Sequence, residues 1–198
     1  MAYGRPRIGV FGGTFDPVHC AHVTVAEATR RTLDLDRMLF VVANDPWQKV
    51  DHDITPAEDR YAMVVAATAG HPKLQPSRLE IDRGGPSYTV DTVRALLEDD
   101  PDAELFLVVG ADVVGGLPTW KDEGSLRELV TLAVVGRPGT DPEPLPPGWR
   151  GVAVPASPSD VSSTDLRRRL RHGDSVEGLV PDAVIRCIRQ RGLYATER

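Results

Sequence analysis

The segment IGVFGGTFDPVHCAH, residues 8–22, decides the fold class of this chain. It begins with four residues typical of a strand, Ile8–Phe11, passes through a glycine pair, and ends in the first turn of a helical stretch. A strand that leads through glycines directly into a helix is the building unit of an α/β sheet. Ligands bind in such sheets at the carboxyl ends of the strands. The segment therefore predicts an α/β fold with a ligand site near residues 12–22.

The rest of the chain repeats this alternation of short apolar runs with amphipathic stretches. The pattern predicts strands at residues 8–11, 38–43, 79–81, 105–109, 132–135 and 152–154, and helices at about 20–33, 57–69, 89–98, 124–130, 163–171 and 181–191. Several of these strands are apolar at every position, which indicates that helices cover both faces of a parallel sheet. We predict a doubly wound, Rossmann-like α/β fold with a single domain over residues 1–198, whose part from about 160 to 198 is helical.

Composition limits the classes of function. The chain has 198 residues and a net charge of −6, which disfavours a long nucleic-acid groove. Its two cysteines are too few for a disulfide framework or a cysteine-based zinc site. No apolar run reaches the ~18 residues of a membrane span, and no signal peptide is expected at the polar start. We expect a cytoplasmic protein that acts on small molecules without nucleic-acid or membrane partners; a homo-oligomer is compatible with the sequence.

The glycine pair and the two histidines after it predict a phosphate site. Gly12 and Gly13 let the backbone approach a ligand closely, and the helix that follows presents unpaired N–H groups. His19 and His22 are three residues apart, so a helix places both on one face, where imidazoles can donate to a phosphoryl group. Two alternatives stay open at this point: a simple tight turn, or a zinc site, which needs a third ligand that no cluster supplies. The residues alone predict a phosphate-binding α/β protein.

Five motifs in order resemble those of one enzyme family. Residues 12–22 resemble the Gly-Gly-x-Phe-Asp-Pro and His-x-Gly-His signature of the nucleotidyltransferase superfamily. The further segments are PWQK at 46–49, GGPSYTVDT at 84–92, GAD at 110–112 with LPTW at 117–120, and SSTDLR at 162–167. Together they resemble the bacterial nicotinate-nucleotide adenylyltransferases over residues 8–194.

This resemblance implies a reaction and its substrates. Such enzymes join ATP and nicotinate mononucleotide into the deamido dinucleotide and release pyrophosphate, in the biosynthesis of NAD. The resemblance implies direct in-line attack on the α-phosphorus without a covalent intermediate, with Mg²⁺ held mainly by substrate oxygens and water. No metal ligand from a protein side chain is expected.

The resemblance also implies roles for particular residues. Catalysis is expected of Thr14, His19, His22 and Arg167. ATP binding is expected of Gly12, Gly13, Thr14, Phe15, His19, His22, Gly110, Asp112, Ser163, Thr164 and Arg167. Binding of nicotinate mononucleotide is expected of Lys49, Thr89, Asp112, Trp120, which would stack on the ring, and the backbone N–H of Lys121.

Two positions depart from the family pattern, and two other functions compete. Ala21 replaces the glycine of His-x-Gly-His, and its methyl group is expected to weaken ATP binding by about 1 kcal/mol at most. Gln48 replaces a histidine and retains only a neutral amide. A pantetheine-phosphate adenylyltransferase shares the first motif but lacks the Ser-Tyr-Thr and Thr-Trp elements. The other alternative is a catalytically silent nucleotide-binding protein.

Overall fold

The computed structural model describes residues 4–46, 54–136, 145–155 and 161–195. Its strands are β1 (Arg7–Gly13), β2 (Arg37–Val42), β3 (Leu74–Ser77), β4 (Glu104–Gly110), β5 (Val130–Gly136) and β6 (Gly151–Pro155). Its helices are α1 (Cys20–Thr32), α2 (Ala57–Thr68), α3 (Leu79–Arg83), α4 (Thr89–Asp99), α5 (Ala111–Val114), α6 (Glu123–Leu129), α7 (Ser163–His172) and α8 (Asp182–Arg191), with a 3-10 turn at Leu117–Thr119.

The six strands form one sheet in the order β3-β2-β1-β4-β5-β6, and every neighbouring pair is parallel. The chain moves outward from β1 through β2 to β3, then crosses back to β4 on the other side of β1. The direction of winding therefore reverses between β1 and β4, and their carboxyl ends form a topological switch point where α/β sheets bind ligands. The predicted doubly wound, Rossmann-like parallel sheet is confirmed.

Alternate residues of the central strands pack into two separate hydrophobic cores, one on each face of the sheet. In β2, Met38 and Phe40 pack on the side of α1, α2, α7 and α8, whereas Leu39 and Val41 pack on the side of α4, α5 and α6. Strand β4 divides its apolar residues in the same way. Since side chains alternate between the faces of a strand, a run that is apolar throughout must be buried on both sides.

One predicted strand was wrong. Residues Leu79–Ile81 belong to the short helix α3, and the strand lies upstream at Leu74–Ser77. That strand contains Pro76, which pairs with Phe40 at the outer edge of the sheet. Proline lacks the N–H that a central strand needs, but an edge strand tolerates it.

The C-terminal helices pack against the first half of the chain. Helix α8 packs on α2, and Arg191 forms an ion pair of 2.6 Å with Asp59. Of the predicted surface loop at 138–151, residues 145–150 contain no helix or strand, Gly151 begins β6, and 138–144 lie outside the described residues. Among the described helices, none is both long enough and apolar enough to cross a bilayer.

Candidate active site

The glycine-rich loop after β1 has a backbone path that its residues make possible. Phe15 adopts a positive φ of 52° and turns its ring into the core. A Cβ on Gly13 would lie only 2.8 Å from Cζ of that ring. A side chain at position 13 would therefore force the ring of Phe15 to shift. Phe15 also contacts the ring of His22 edge-on, with 5.1 Å between the centroids.

The two histidines stack on each other at the start of α1. Their ring centroids are 3.7 Å apart, and the backbone N–H of His19 donates to Nδ1 of His22 at 3.2 Å. Because Nδ1 of His22 accepts this bond, its Nε2 carries the ring proton and is the nitrogen able to donate. Burial lowers the pKa of His19 to about 4, so this imidazole is neutral at pH 7.

A buried arginine, which the sequence analysis did not single out, forms hydrogen bonds to the backbone of the loop and of its neighbouring segments. Arg60 of α2 is 1% exposed and donates to three carbonyls: Thr55 at 2.7 Å, Thr14 at 2.9 Å and Asn44 at 3.1 Å. Burial lowers the pKa of Arg60, and the charge of Asp16 opposes that shift. The guanidinium thus joins the loop, the end of β2 and the start of α2.

Asp16 connects the loop to the C-terminal part of the chain. Its carboxylate accepts from the hydroxyl of Tyr194 at 2.6 Å and from the N–H of Thr55 at 3.2 Å. Its backbone carbonyl accepts from Nη1 of Arg167 at 2.7 Å. Burial, followed by the charge of Asp16, raises the pKa of Tyr194, so its hydroxyl remains a donor.

Helix α7 begins against the same loop. The hydroxyl of Ser163 donates to the carbonyl of Pro17 at 3.1 Å, and Nη2 of Arg167 donates to the hydroxyl of Thr164 at 3.3 Å. Since Pro17 lies two residues before His19, the three polar residues of α7 and the histidines flank one loop. The structure thus brings together predicted phosphate ligands that are about 145 residues apart in sequence.

A cavity of about 300 Å³ opens beside this loop, at the carboxyl ends of β1, β2 and β4. Its lining contains six residues predicted from the sequence: Gly12, Gly13, Thr14, Thr89, Gly110 and Trp120. Apolar residues of the three strands form much of the remaining wall, and Ser87, Thr92 and Glu80 add polar groups. A planar aromatic ligand bordered by a few polar groups suits such a cavity.

Other predicted residues lie elsewhere. Asp112 is exposed on α5 beside Gly110 and does not line the cavity. Lys121 is exposed, and its ammonium pairs with Asp91 at 2.8 Å and lies 4.5 Å from the ring centre of Tyr88. The side chain of Phe15 belongs to the core. Lys49 lies outside the described residues.

The described residues contain no cluster of three histidine, cysteine or acidic side chains that could hold a metal ion. The one carboxylate described in the loop, Asp16, already accepts from Tyr194 and Thr55, whereas the imidazoles, hydroxyls and guanidinium around it can donate to phosphate oxygens.

Sequence reasoning missed four residues of this region: Asp16, Arg60, Glu80 and Tyr194. Arg60 carried a detectable signal, because it shares a helix face with Met63, Val64 and Ala67, all buried. A charged residue on the apolar face of a helix is buried together with its neighbours, because that face packs against the core. Asp16 and Tyr194 meet across 178 residues, which no local pattern reveals.

The comparisons with known proteins agree with this geometry. The family model described as cytidylyltransferase-like matches residues 10–169. A relative from Corynebacterium kroppenstedtii, named a probable nicotinate-nucleotide adenylyltransferase, is 45% identical over 194 residues, covering 96% of this chain and 91% of the relative. A relative of the same name from Thermus thermophilus is 47% identical over 188 residues, covering 95% and 99%.

The fold recurs in a distant solved structure. The nicotinic acid mononucleotide adenylyltransferase of Plasmodium falciparum, complexed with NaAD, superposes with a TM-score of 0.75 at 18% identity, covering 95% of this chain and 97% of that one. At that identity the likeness concerns the fold alone. The family model and the near full-length bacterial relatives go further: the chain belongs to the cytidylyltransferase-like family and, within it, to the nicotinate-nucleotide adenylyltransferases.

Proposed function

We propose that this protein transfers the adenylyl group of ATP to nicotinate mononucleotide, which gives nicotinate adenine dinucleotide and pyrophosphate in the biosynthesis of NAD. One observation carries the proposal: a phosphate-type loop and a cavity bordered by Trp120 lie side by side at the switch point of the sheet. Relatives about 45% identical over nearly the whole chain bear the name of this activity, which supports the same assignment.

ATP would occupy the loop side. Gly12, Gly13 and Thr14 would face its phosphates, and the arginine and hydroxyls at the start of α7 would hold the departing β- and γ-phosphates. His22 would donate from Nε2 to the oxygens on which charge accumulates, with His19 stacked behind it. Phe15 would contribute backbone groups only, since its side chain is in the core.

Nicotinate mononucleotide would occupy the cavity. Trp120 would stack on the ring, and Thr89 at the start of α4 would bind the nicotinate carboxylate together with the backbone N–H of Lys121. The phosphate of the mononucleotide would attack the α-phosphorus in line. The new bond joins that phosphate oxygen to the α-phosphorus, and the bond to the β-phosphate oxygen breaks and releases pyrophosphate. Positioning and charge stabilisation suffice, and no nucleophilic side chain is needed.

The remaining roles are extensions of the same proposal. Gly110 and Asp112 would lie beside the adenosine, Asp112 contacting a ribose, and Lys49 would add a cation near the phosphates. ATP would enter as its Mg²⁺ complex, with the ion on substrate oxygens and water. Residues 1–198 would form one nucleotidyltransferase domain whose C-terminal part, about 160–198, brings the Ser-Ser-Thr-x-x-Arg motif. The two free cysteines are compatible with a cytoplasmic setting.

Pyrophosphate release tests the proposal. The purified protein is incubated with Mg²⁺-ATP and one of three acceptors: nicotinate mononucleotide, its amide, or phosphopantetheine. We expect release to be fastest with nicotinate mononucleotide. Faster release with phosphopantetheine would indicate the pantetheine-phosphate reaction instead, and no release with any acceptor would indicate a silent nucleotide-binding protein.

A further inference from the structure

A buried carboxylate borders the cavity and has no role in the function proposed above. Glu80 of α3 is 6% exposed, and it lines the cavity together with Thr92 and Trp120. The hydroxyl of Thr92 donates to Oε1 of Glu80 at 2.5 Å, and Thr92 is itself 1% exposed. Glu80 is therefore a buried residue at the wall of the cavity, and its carboxyl group bonds to another residue of that wall.

The cations near Glu80 do not pair with it directly. Nη1 of Arg83 donates to the hydroxyl of Thr92 at 3.2 Å, so Arg83 is linked to the carboxylate only through that hydroxyl. Throughout the described ranges, no ion pair of 4.0 Å or shorter includes Glu80. Arg60 and Glu80 attract each other through space, but Asp16 attracts Arg60 more strongly. The guanidinium of Arg60 also donates to three backbone carbonyls and not to Glu80.

A buried carboxylate without a direct ion pair is costly, because it loses hydration and its attraction to Arg60 and Arg83 acts only beyond salt-bridge distance. The cost falls when a ligand brings positive charge into the same low-polarity space. Trp120 lines the same cavity, and the face of its indole ring also attracts cations. An anionic side chain and an indole bordering one cavity of about 300 Å³ suit a flat cationic ring.

We infer that Glu80 is a specificity-determining residue that acts as the counter-ion of the positively charged pyridinium ring of the mononucleotide. The inference rests on the proposed function and deepens it, since it states why the cavity accepts a pyridine nucleotide in its oxidised, cationic form. Chemical reduction of the ring to the 1,4-dihydro form removes the positive charge and leaves the size nearly unchanged. Glu80 then gives the protein a preference for the oxidised form.

The test measures the affinities of nicotinate mononucleotide and its chemically reduced 1,4-dihydro form by isothermal titration calorimetry without ATP. Three proteins are compared: the wild type, Glu80→Gln, and Asp82→Asn. Glutamine keeps the shape of the side chain and an acceptor for Thr92. Asp82 is an exposed acid on the same helix, paired with Arg78, so its substitution removes the same formal charge away from the cavity.

We expect the wild type to bind the oxidised form about tenfold more tightly or better, and Glu80→Gln to reduce that ratio about tenfold. Asp82→Asn should leave the ratio within about twofold, since exposed charges are screened by solvent. If Glu80→Gln weakens both forms equally, Glu80 only positions α4 and the inference is wrong. A wild type without any preference overturns it as well, whereas a wild type that binds neither form contradicts the proposed function itself.

Discussion

The two halves of the candidate active site are built on opposite principles. The phosphate half, around the loop after β1, is held by hydrogen bonds among segments distant in sequence: Arg60 binds three carbonyls, and Asp16 binds Tyr194 while its carbonyl binds Arg167. The ring half is mainly apolar strand residues with Trp120 and one buried carboxylate, Glu80. Under the proposed function, the first half would be preorganised for the fixed charge of phosphates, and the second would select its ligand by shape and charge.

The largest expected effect lies in the phosphate half. Under the proposed function, His22→Ala would remove the donor to the charge that develops on the transferred phosphoryl group, and we expect kcat to fall about 10²–10³-fold. The circular dichroism spectrum should stay the same. His172→Ala, at the exposed end of α7, is the matched control and should keep full activity. A His22→Ala enzyme with near-normal kcat would exclude the imidazole from the chemistry.

The second-largest expected effect concerns ATP and leaves the binding of nicotinate mononucleotide nearly unchanged. Arg167→Lys keeps the charge but loses the planar fork that bonds Asp16 and Thr164. We expect kcat/KM for ATP to fall about 10–100-fold, with the KM for nicotinate mononucleotide nearly unchanged. Arg168→Lys is the control, because Arg168 pairs with Asp165 on the exposed face. Equal losses for both substrates would contradict the division into two halves.

The pH dependence of the free energy of unfolding tests the burial of the His19 imidazole. The pKa of His19 is lowered to about 4 by burial, so between pH 6.5 and 4 an unfolded chain binds a proton that the folded protein refuses. The stabilising contribution is complete above pH 6.5 and is lost as the pH falls towards 4. We expect the free energy of unfolding of the wild type to fall about 3 kcal/mol more than that of His19→Asn across this window, measured by urea unfolding. Parallel curves for the two proteins would show that His19 is hydrated in the folded state.

The ring half is addressed by Trp120→Ala. Loss of the stacking surface should raise the KM for nicotinate mononucleotide about tenfold, since cation–π contacts contribute about 0.5–2 kcal/mol. The KM for ATP should not change. Trp149, buried in the same core but absent from the lining of the cavity, provides a contrast: Trp149→Phe should alter stability and leave both KM values intact.

The smallest expected effect concerns Ala21, half-buried on α1. Under the proposed function the methyl group of Ala21 would lie beside the adenine, so Ala21→Gly should lower the KM for ATP no more than about fivefold, which corresponds to about 1 kcal/mol. Ala28→Gly on the same helix controls for the loss of helix propensity. An unchanged KM in Ala21→Gly would mean that the methyl group does not crowd the base.

Sequence reasoning succeeded where periodicity was strong. The runs that became β1, β2 and β4 were apolar at nearly every position, and both the parallel sheet and its coverage by helices follow from that pattern. The prediction missed β3, because this edge strand is only partly buried and contains Pro76. Its sequence therefore lacks the run of apolar residues that marks the central strands. The Leu-Glu-Ile run after it alternates like a strand but forms α3.

For the site, the motifs singled out the loop after β1 and six residues that line one cavity, yet they did not reveal which contacts hold these residues in place. Arg60, Asp16 and Tyr194 act through contacts between segments far apart in sequence, and such contacts depend on the tertiary fold. Glu80 was missed for another reason: burial of a carboxylate has no local pattern, since an acidic residue in a short helix is usually solvated.

Pro76 also bears on how copies of this protein meet. The outer side of a border strand is the natural template on which a foreign strand can dock and extend a sheet from one molecule to the next. Here that strand has only four residues, and one of them offers no amide hydrogen. It is therefore a poor template for the docking of a foreign strand at this edge of the sheet.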